Sequence, residues 1–274
     1  MELQQNLERV RQRGLGLAAI SYDSPAVLKD FASRRKITFP LLSDSDSKII
    51  RAFGILNESV KPGTAQYGIP NPGTYIVDPH GKVLAKYFED DIRERVSITD
   101  ILAGQYGERL EASAGAAEGR HLRLSTAAST PVAHPGHRIM LSMTVDIQPK
   151  VHVYAPGVTD YTPIEWTMEE SPAVKPRPAH YPKSLSLRLK PIHETVPVYQ
   201  GHLRIIREIT FGPENALKQL ASPSGELVLK GSLSYQACDD RKCYLPETVP
   251  LEWRFRFEAL DRERVPVELQ RTAR

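Results

Sequence analysis

Two hydrophobic periods divide this chain. Over the first hundred residues, helical and strand patterns alternate. Leu3, Leu7 and Val10 recur at helical spacing, and Gly14 closes that stretch. An apolar run over 15–21 predicts a strand. Ser24-Pro25 then supplies an N-cap and a first helical residue for a helix with Val27, Leu28 and Phe31 on one face. A further helical segment over 47–53 carries Ile49, Ile50 and Phe53. Runs at 74–77 and 82–88 flank Asp78-Pro79-His80-Gly81 as strand, turn and strand, with His80 a turn residue, and a last helix is expected over 97–105. Such alternation predicts an α/β domain.

Beyond it the period becomes two. Ile139, Leu141, Met143, Val145 and Ile147 alternate with polar partners, as do Val249, Leu251, Trp253, Phe255 and Phe257. Leu227, Leu229, Leu233 and Tyr235 repeat the pattern, interrupted by Gly231. Short alternating strands between proline-rich turns predict an all-β sandwich. Most of the 22 prolines lie in this half, where they suit edges and turns and oppose long helices. Between the two patterns, 111–119 (EASAGAAEG) has the small, flexible composition of a linker. The expected domains are 1–107 and 120–260, with a linker over 108–119 and a tail over 261–274.

Composition narrows the functional classes. With 274 residues, each domain can bury its own core. The 36 basic and 33 acidic residues are dispersed and no basic block occurs, so no nucleic-acid partner is expected. No run of about 18 apolar residues exists, so membrane insertion by a helix is not expected either. The opening Met1-Glu2-Leu3-Gln4-Gln5-Asn6 does not have the pattern of a secretory signal.

The candidate chemistry is in the two cysteines, Cys238 and Cys243, which fall between two alternating strands in YQACDDRKCYLPETVPLEW. A hairpin end over so short a segment could bring the sulfurs together. The resulting loop closure would contribute only about 2 kcal/mol, an increment that a large β core does not need. A redox-active pair is therefore favoured. A permanent structural bridge, two free thiols, and a zinc site completed by His193 and His202 are the alternatives. Arg241 and Lys242 lie beside Cys243, while Asp239 and Asp240 follow Cys238. Cations favour a thiolate, so Cys243 is the expected attacking sulfur. His134 and His137 bracket a Pro-Gly loop and make no usual metal pattern. Gly14-Leu15-Gly16 precedes a strand, whereas a dinucleotide fingerprint follows one. No cofactor is implied.

Tyr235-Gln236-Ala237-Cys238 and Cys243-Tyr244-Leu245-Pro246-Glu247-Thr248-Val249-Pro250-Leu251 resemble the N-terminal periplasmic domain of the thiol–disulfide interchange protein DsbD. Val151-His152-Val153-Tyr154 is similar to that family's tyrosine-bearing strand. His193-Glu194 through Tyr199-Gln200-Gly201 is similar to its cap loop, with Val198 followed by Tyr199 where the family carries a phenylalanine. The resemblance spans about 120–257. It implies an immunoglobulin-like domain, a disulfide surrounded by Tyr154, Val198 and Tyr199, and Cys243 as the sulfur of the mixed disulfide. It also implies a periplasmic setting, with thioredoxin-like proteins or a membrane thiol reductase as partners.

SYDSPAVLKDFASRRKITFPLLSD followed by PGTYIVDPHGKV resembles the AhpC/TSA branch of the thioredoxin superfamily over about 1–107. Family members carry a strand and a catalytic cysteine before the first helix matched here, and this chain has no cysteine before Cys238. Peroxidase activity is therefore not expected of it. Upstream coding sequence is expected to supply that strand, the cysteine motif and a signal peptide. Pro72 stands where thioredoxins keep a cis-proline, an ordinary turn proline being the alternative. The function expected overall is thiol–disulfide electron transfer through Cys238 and Cys243. The rival is a non-catalytic interaction module with a structural bridge and a relic first domain.

Overall fold

The computed structural model describes residues 2–189 and 194–270. The chain forms two compact units, one of residues 1–106 with 261–274 and one of residues 107–260. It is mostly β, with few helices.

In the first unit the predicted helix is present as Pro25–Arg35, and the Ser24 hydroxyl accepts from the Val27 amide at 3.4 Å. The opening helical pattern yields two short helices, Glu2–Gln5 and Leu7–Gln12, and the later ones Lys48–Ala52 and Ile98–Tyr106. Glu2 serves the last of these, since its carboxylate accepts from the Ile98 amide at 2.8 Å. Val10, Ile98, Ile101 and Leu102 form the small core, with Leu3, Leu15, Leu17, Ile76 and Tyr87 packed against it. The strands stay in two pairs. Ala19–Ser21 runs parallel to Leu41–Ser43, and Gly73–Val77 is antiparallel to Val83–Phe88. Ile20, Leu42, Val77, Val83 and Leu84 are exposed on these strands. The Asn71–Pro72 bond just before Gly73–Val77 is trans, since no described peptide bond is cis. Residues 261 and 263 are no loose tail: Asp261 and Glu263 both accept from Arg35.

In the second unit one sheet runs in the order Val174–His180, His202–Phe211, His137–Ile147, Leu122–Ala128, Ala112–Glu118. A second holds Glu165–Met168, Glu226–Tyr235, Glu247–Phe257 and Val132–Ala133. Apolar faces from both sheets merge into one core, where Leu141, Met143, Val145, Ile205 and Ile209 meet Trp166, Leu229, Leu233, Leu251 and Trp253. The two indoles stack with centroids 5.3 Å apart. The period-two pattern follows from this: every second residue faces the shared core.

The expected linker is corrected here. Ala112–Glu118 is a strand paired antiparallel with Leu122–Ala128. Its small residues are needed for space rather than flexibility, because a Cβ on Gly115 would lie 2.7 Å from the Thr126 hydroxyl. A short helix unforeseen in the sequence, Glu214–Leu220, follows the Val174-paired strand. Pro176 and Pro178 sit on a strand with a single neighbour, at a register shift that absorbs their missing donors.

Gly231 breaks the alternation for a steric reason. It pairs with Met168 on one side and Leu251 on the other. A Cβ there would stand 2.5 Å from the Thr167 carbonyl oxygen and 3.2 Å from the Met168 sulfur. Gly231→Ala is therefore expected to lower stability by about 1–3 kcal/mol through overpacking. Urea denaturation should show an earlier midpoint at unchanged slope, and an unshifted midpoint would contradict the close approach.

Candidate functional site

A third small sheet in the second unit builds the site. His152–Tyr154 lies between Glu194–Tyr199 and Ala237–Cys238, and Leu185–Leu189 pairs with the far side of Glu194–Tyr199. His152 stands opposite Cys238, and Tyr154 opposite Val198. Residues two apart on a strand share a face, so His152 and Tyr154 both project towards the side that Cys238 occupies.

Cys238 and Cys243 are joined as a disulfide, with Cα atoms 4.0 Å apart. The two sulfurs have unlike surroundings. Cys238 is 1% exposed, packed with Tyr154, Val196 and Val198 and covered by Val158, Tyr161 and Leu187. Cys243 is exposed. The Tyr154 hydroxyl lies 3.3 Å from the Cys238 sulfur and 3.5 Å from that of Cys243. Neither bonded sulfur carries a proton, so the hydroxyl is the donor.

Burial, with Tyr161 and Glu194 nearby, pushes the Tyr154 phenol up to about 12, so it remains protonated. Its ring stacks on Tyr161 at 4.1 Å, and the Tyr161 hydroxyl donates to Glu194 at 3.3 Å. His152 is 4% exposed and edge-on to Tyr154, with centroids 5.5 Å apart. Burial lowers its imidazole below the ordinary value, and Asp239 acts in the opposite direction. Its Nε2 has no hydrogen-bond partner among the described residues.

The turn between the cysteines is organised by Asp239. Its carboxylate accepts from the Arg241 and Lys242 amides, each at 2.8 Å, and from the Tyr244 hydroxyl at 2.8 Å. These donors hold the acid down at about 2. The Asp239 amide donates to the Lys242 carbonyl and the Tyr244 amide to the Ala237 carbonyl. Gln236 ties the loop inwards, donating to the Tyr244 carbonyl at 3.1 Å and accepting from the Thr162 amide at 3.2 Å. Cys243 is thus presented on a turn held by Asp239 and Gln236.

The residues singled out by sequence separate into two groups. Cys238, Cys243, Tyr154 and Val198 come together. Tyr199 does not: it is the neighbour of Val198 on one strand and so faces the other way, into the main core, where its hydroxyl donates to the Pro182 carbonyl at 2.8 Å. Arg241 is exposed, and the Lys242 ammonium lies 4.8 Å from the centre of the Tyr244 ring. Burial distinguishes the two cysteines, Cys238 being buried and Cys243 exposed. His193 lies outside the described residues. His202 bonds Asp146 at 2.7 Å, and no group of three metal-ligating side chains converges among the described residues. Sequence reasoning missed His152, Tyr161 and Glu194, and missed that Asp239 folds the turn. The available signals were the two-residue spacing of His152 and Tyr154 and the aspartate directly after a cysteine.

Residues 1–86 match the AhpC/TSA family model. Peroxiredoxin Bcp of Escherichia coli K12 is 31% identical over 81 residues, covering 30% of this chain and 51% of that protein. Alkyl hydroperoxide reductase E of Mycobacterium bovis is 31% identical over 106 residues, covering 37% of this chain and 65% of the relative. Peroxiredoxin Q, chloroplastic, of Arabidopsis thaliana is 32% identical over 80 residues, 29% of this chain and 34% of the relative. The chain spans less than two thirds of each of these relatives. Among solved structures, the N-terminal periplasmic domain of ScsB from Proteus mirabilis is similar at a TM-score of 0.32 and 12% identity, over 57% of this chain and 49% of that one. The N-terminal domain of DsbD from Neisseria meningitidis, in the reduced form, is similar at 0.25 and 14% identity, over 41% of this chain and 74% of that one.

The turn carries its own test. Because the folded Asp239 acid is depressed, its contribution is present above the unfolded value of about 3.9 and is lost as pH falls through about 2. The side-chain carboxyl resonance should titrate there. In Asp239→Ala the Arg241 and Lys242 amides should exchange with solvent about tenfold faster or more. Unchanged exchange would remove Asp239 from this role.

Proposed function

We propose that this chain passes reducing equivalents by thiol–disulfide exchange through Cys238 and Cys243. The observation that carries the reading is the unequal disulfide: one cysteine exposed, the other buried, and one tyrosine hydroxyl within reach of both sulfurs. A bridge needed only for stability has no use for an exposed member on a preformed turn. Exchange needs both an accessible sulfur and a sheltered one.

In the reduced chain, the Cys243 thiolate attacks a partner's disulfide, forming a mixed disulfide and expelling one partner thiolate. Cys238, as thiolate, then attacks the Cys243 sulfur. The Cys238–Cys243 bond forms, the mixed disulfide breaks, and the second partner thiolate leaves. Two electrons pass to the partner, and its two thiolates take the two protons given up by the cysteines. The Tyr154 hydroxyl, protonated throughout, donates to whichever sulfur bears charge. The reverse sequence recharges the pair from a reductant.

We read the second unit as an immunoglobulin-like β-sandwich of the kind that begins DsbD, supported by two sheets sharing one core and by the sequence around the cysteines. The first unit is read as a thioredoxin-like domain, supported by the AhpC/TSA match over 1–86. The partners are thioredoxin-like proteins or a membrane thiol reductase, and the setting is periplasmic.

Cys238→Ser should accumulate a mixed disulfide with a thioredoxin-like partner, and Cys243→Ser should accumulate little, as read on non-reducing gels. The wild-type pair should have a potential above about −300 mV, the range of exchanging rather than structural bridges. Failure of both variants to trap, with a bridge that resists dithiothreitol under native conditions, would leave a structural disulfide in an interaction module. Hydroperoxide turnover with thiol donors should be absent. Turnover that persisted in a Cys238→Ser/Cys243→Ser variant would require a nucleophile other than cysteine, because the chain has no third one.

A further inference from the structure

We propose that His152 is the base that removes the proton from Cys238 when the mixed disulfide on Cys243 is resolved, a role that rests on the exchange reading above. His152 and Cys238 are directly opposed across an antiparallel pair. Side chains so placed leave the same face, with Cβ atoms about 4.5–5.5 Å apart. Both residues are buried, at 4% and 1% exposure. The Nε2 of His152 has no hydrogen-bond partner among the described residues, so a buried ring nitrogen is left unbonded.

The chemistry of the step calls for a proton acceptor. A thiol in apolar surroundings holds its proton more tightly than a free one, and only the thiolate attacks. Tyr154 can donate a hydrogen bond to the charged sulfur, but a protonated phenol cannot take the proton. Burial keeps His152 neutral and able to accept. When the disulfide is open, Cys238 is free to turn about its side-chain bond towards the ring opposite. The proton moves from Cys238 Sγ to imidazole nitrogen, and the electron pair left on sulfur forms the bond to Cys243 Sγ. The partner leaves as thiolate, and the imidazolium then returns its proton to solvent.

The groups facing His152 are consistent with transient charging. On its own strand stands Tyr154, edge-on. From the opposite strand and its turn come Cys238 and the Asp239 carboxylate, an anion whose influence raises the imidazole. Beyond Tyr154 lie Tyr161 and Glu194, bonded to one another. On the outer side of Asp239 are the Tyr244 hydroxyl and the Lys242 and Arg241 amides, with the Lys242 ammonium held over the Tyr244 ring. The fixed negative charge nearest the ring is thus Asp239, which stabilises an imidazolium paired with a thiolate.

The test uses the reduced full chain and dithiobis-nitrobenzoate as an artificial partner disulfide. Attack by Cys243 releases one thionitrobenzoate. Resolution by Cys238 releases the second, so stopped-flow absorbance separates the two steps. In the wild type the second phase should level off as pH rises through the imidazole range. In His152→Gln the first phase and the circular dichroism should be unchanged. The second phase should slow by about tenfold to a hundredfold at pH 7, and climb towards the wild-type rate only at pH above the titration of a free thiol. Second phases of equal rate and equal pH profile would overturn the proposal. Loss of the second phase in the wild type itself would instead sink the exchange reading. If His152→Gln and His152→Asn both fail to fold, ring titration of the wild type by NMR decides. The His152 resonance should titrate at least one unit higher in the reduced chain than in the oxidised one, and coincident titrations would overturn it.

Discussion

Everything at the site hangs on a three-residue strand. His152–Tyr154 is too short to be stable alone, and it is held by pairing with Glu194–Tyr199 on one side and Ala237–Cys238 on the other. That double pairing sets the register, and the register decides which side chains meet the sulfur. A slip by one residue would turn Val153, now buried in the main core, towards the disulfide and send Tyr154 to the opposite face. The main core anchors the arrangement, because Val153, Tyr199 and Ala237 belong to it while Tyr154, Val198 and Cys238 belong to the small cluster on the other side. One sheet therefore carries structural packing on one face and the candidate chemistry on the other.

The two units differ in how their apolar residues are used. In the second, two sheets close on one another, and Trp166 and Trp253 stack at the centre of a continuous core. In the first, four buried residues carry the main cluster, and both strand pairs keep large apolar side chains exposed. The AhpC/TSA match lies wholly within the first unit. The disulfide lies in the second, so the residues that match the AhpC/TSA model and the two cysteines belong to different units.

How much could be read without coordinates depended on how each residue is fixed. Ile139 to Ile147 and Val249 to Phe257 were legible because one face of each strand is buried, which writes a period of two into the sequence. Residues 112–118 were not, since alanine and glycine have little intrinsic preference for a strand, and pairing with Leu122–Ala128 places them there. The disulfide was legible from its surrounding segment. Its environment was only partly so: Val198 and Tyr199 are adjacent, a strand can direct only one of them at the sulfur, and the choice is made by register with Tyr154. Local charge pointed to Cys243, whereas the structure adds a difference that sequence does not display, the exposure of one cysteine and the burial of the other. His152 stayed hidden because its importance lies in what stands opposite it, 86 positions away in the chain.

The unequal exposure of the two cysteines also bears on the regiochemistry of the proposed exchange. Displacement at a disulfide runs along the sulfur–sulfur axis, so the atom that is struck determines the atom that is expelled. In the proposed exchange, a nucleophile arriving from water would meet Cys243, the exposed cysteine. The departing sulfur would then be Cys238, and the new negative charge would appear among the buried side chains of Tyr154, Val196 and Val198. The opposite order would need an attacker beneath the hairpin and would release the charge into solvent. On that reading the bridge is chemically polar, with an entrance and an exit, although its two halves are the same amino acid.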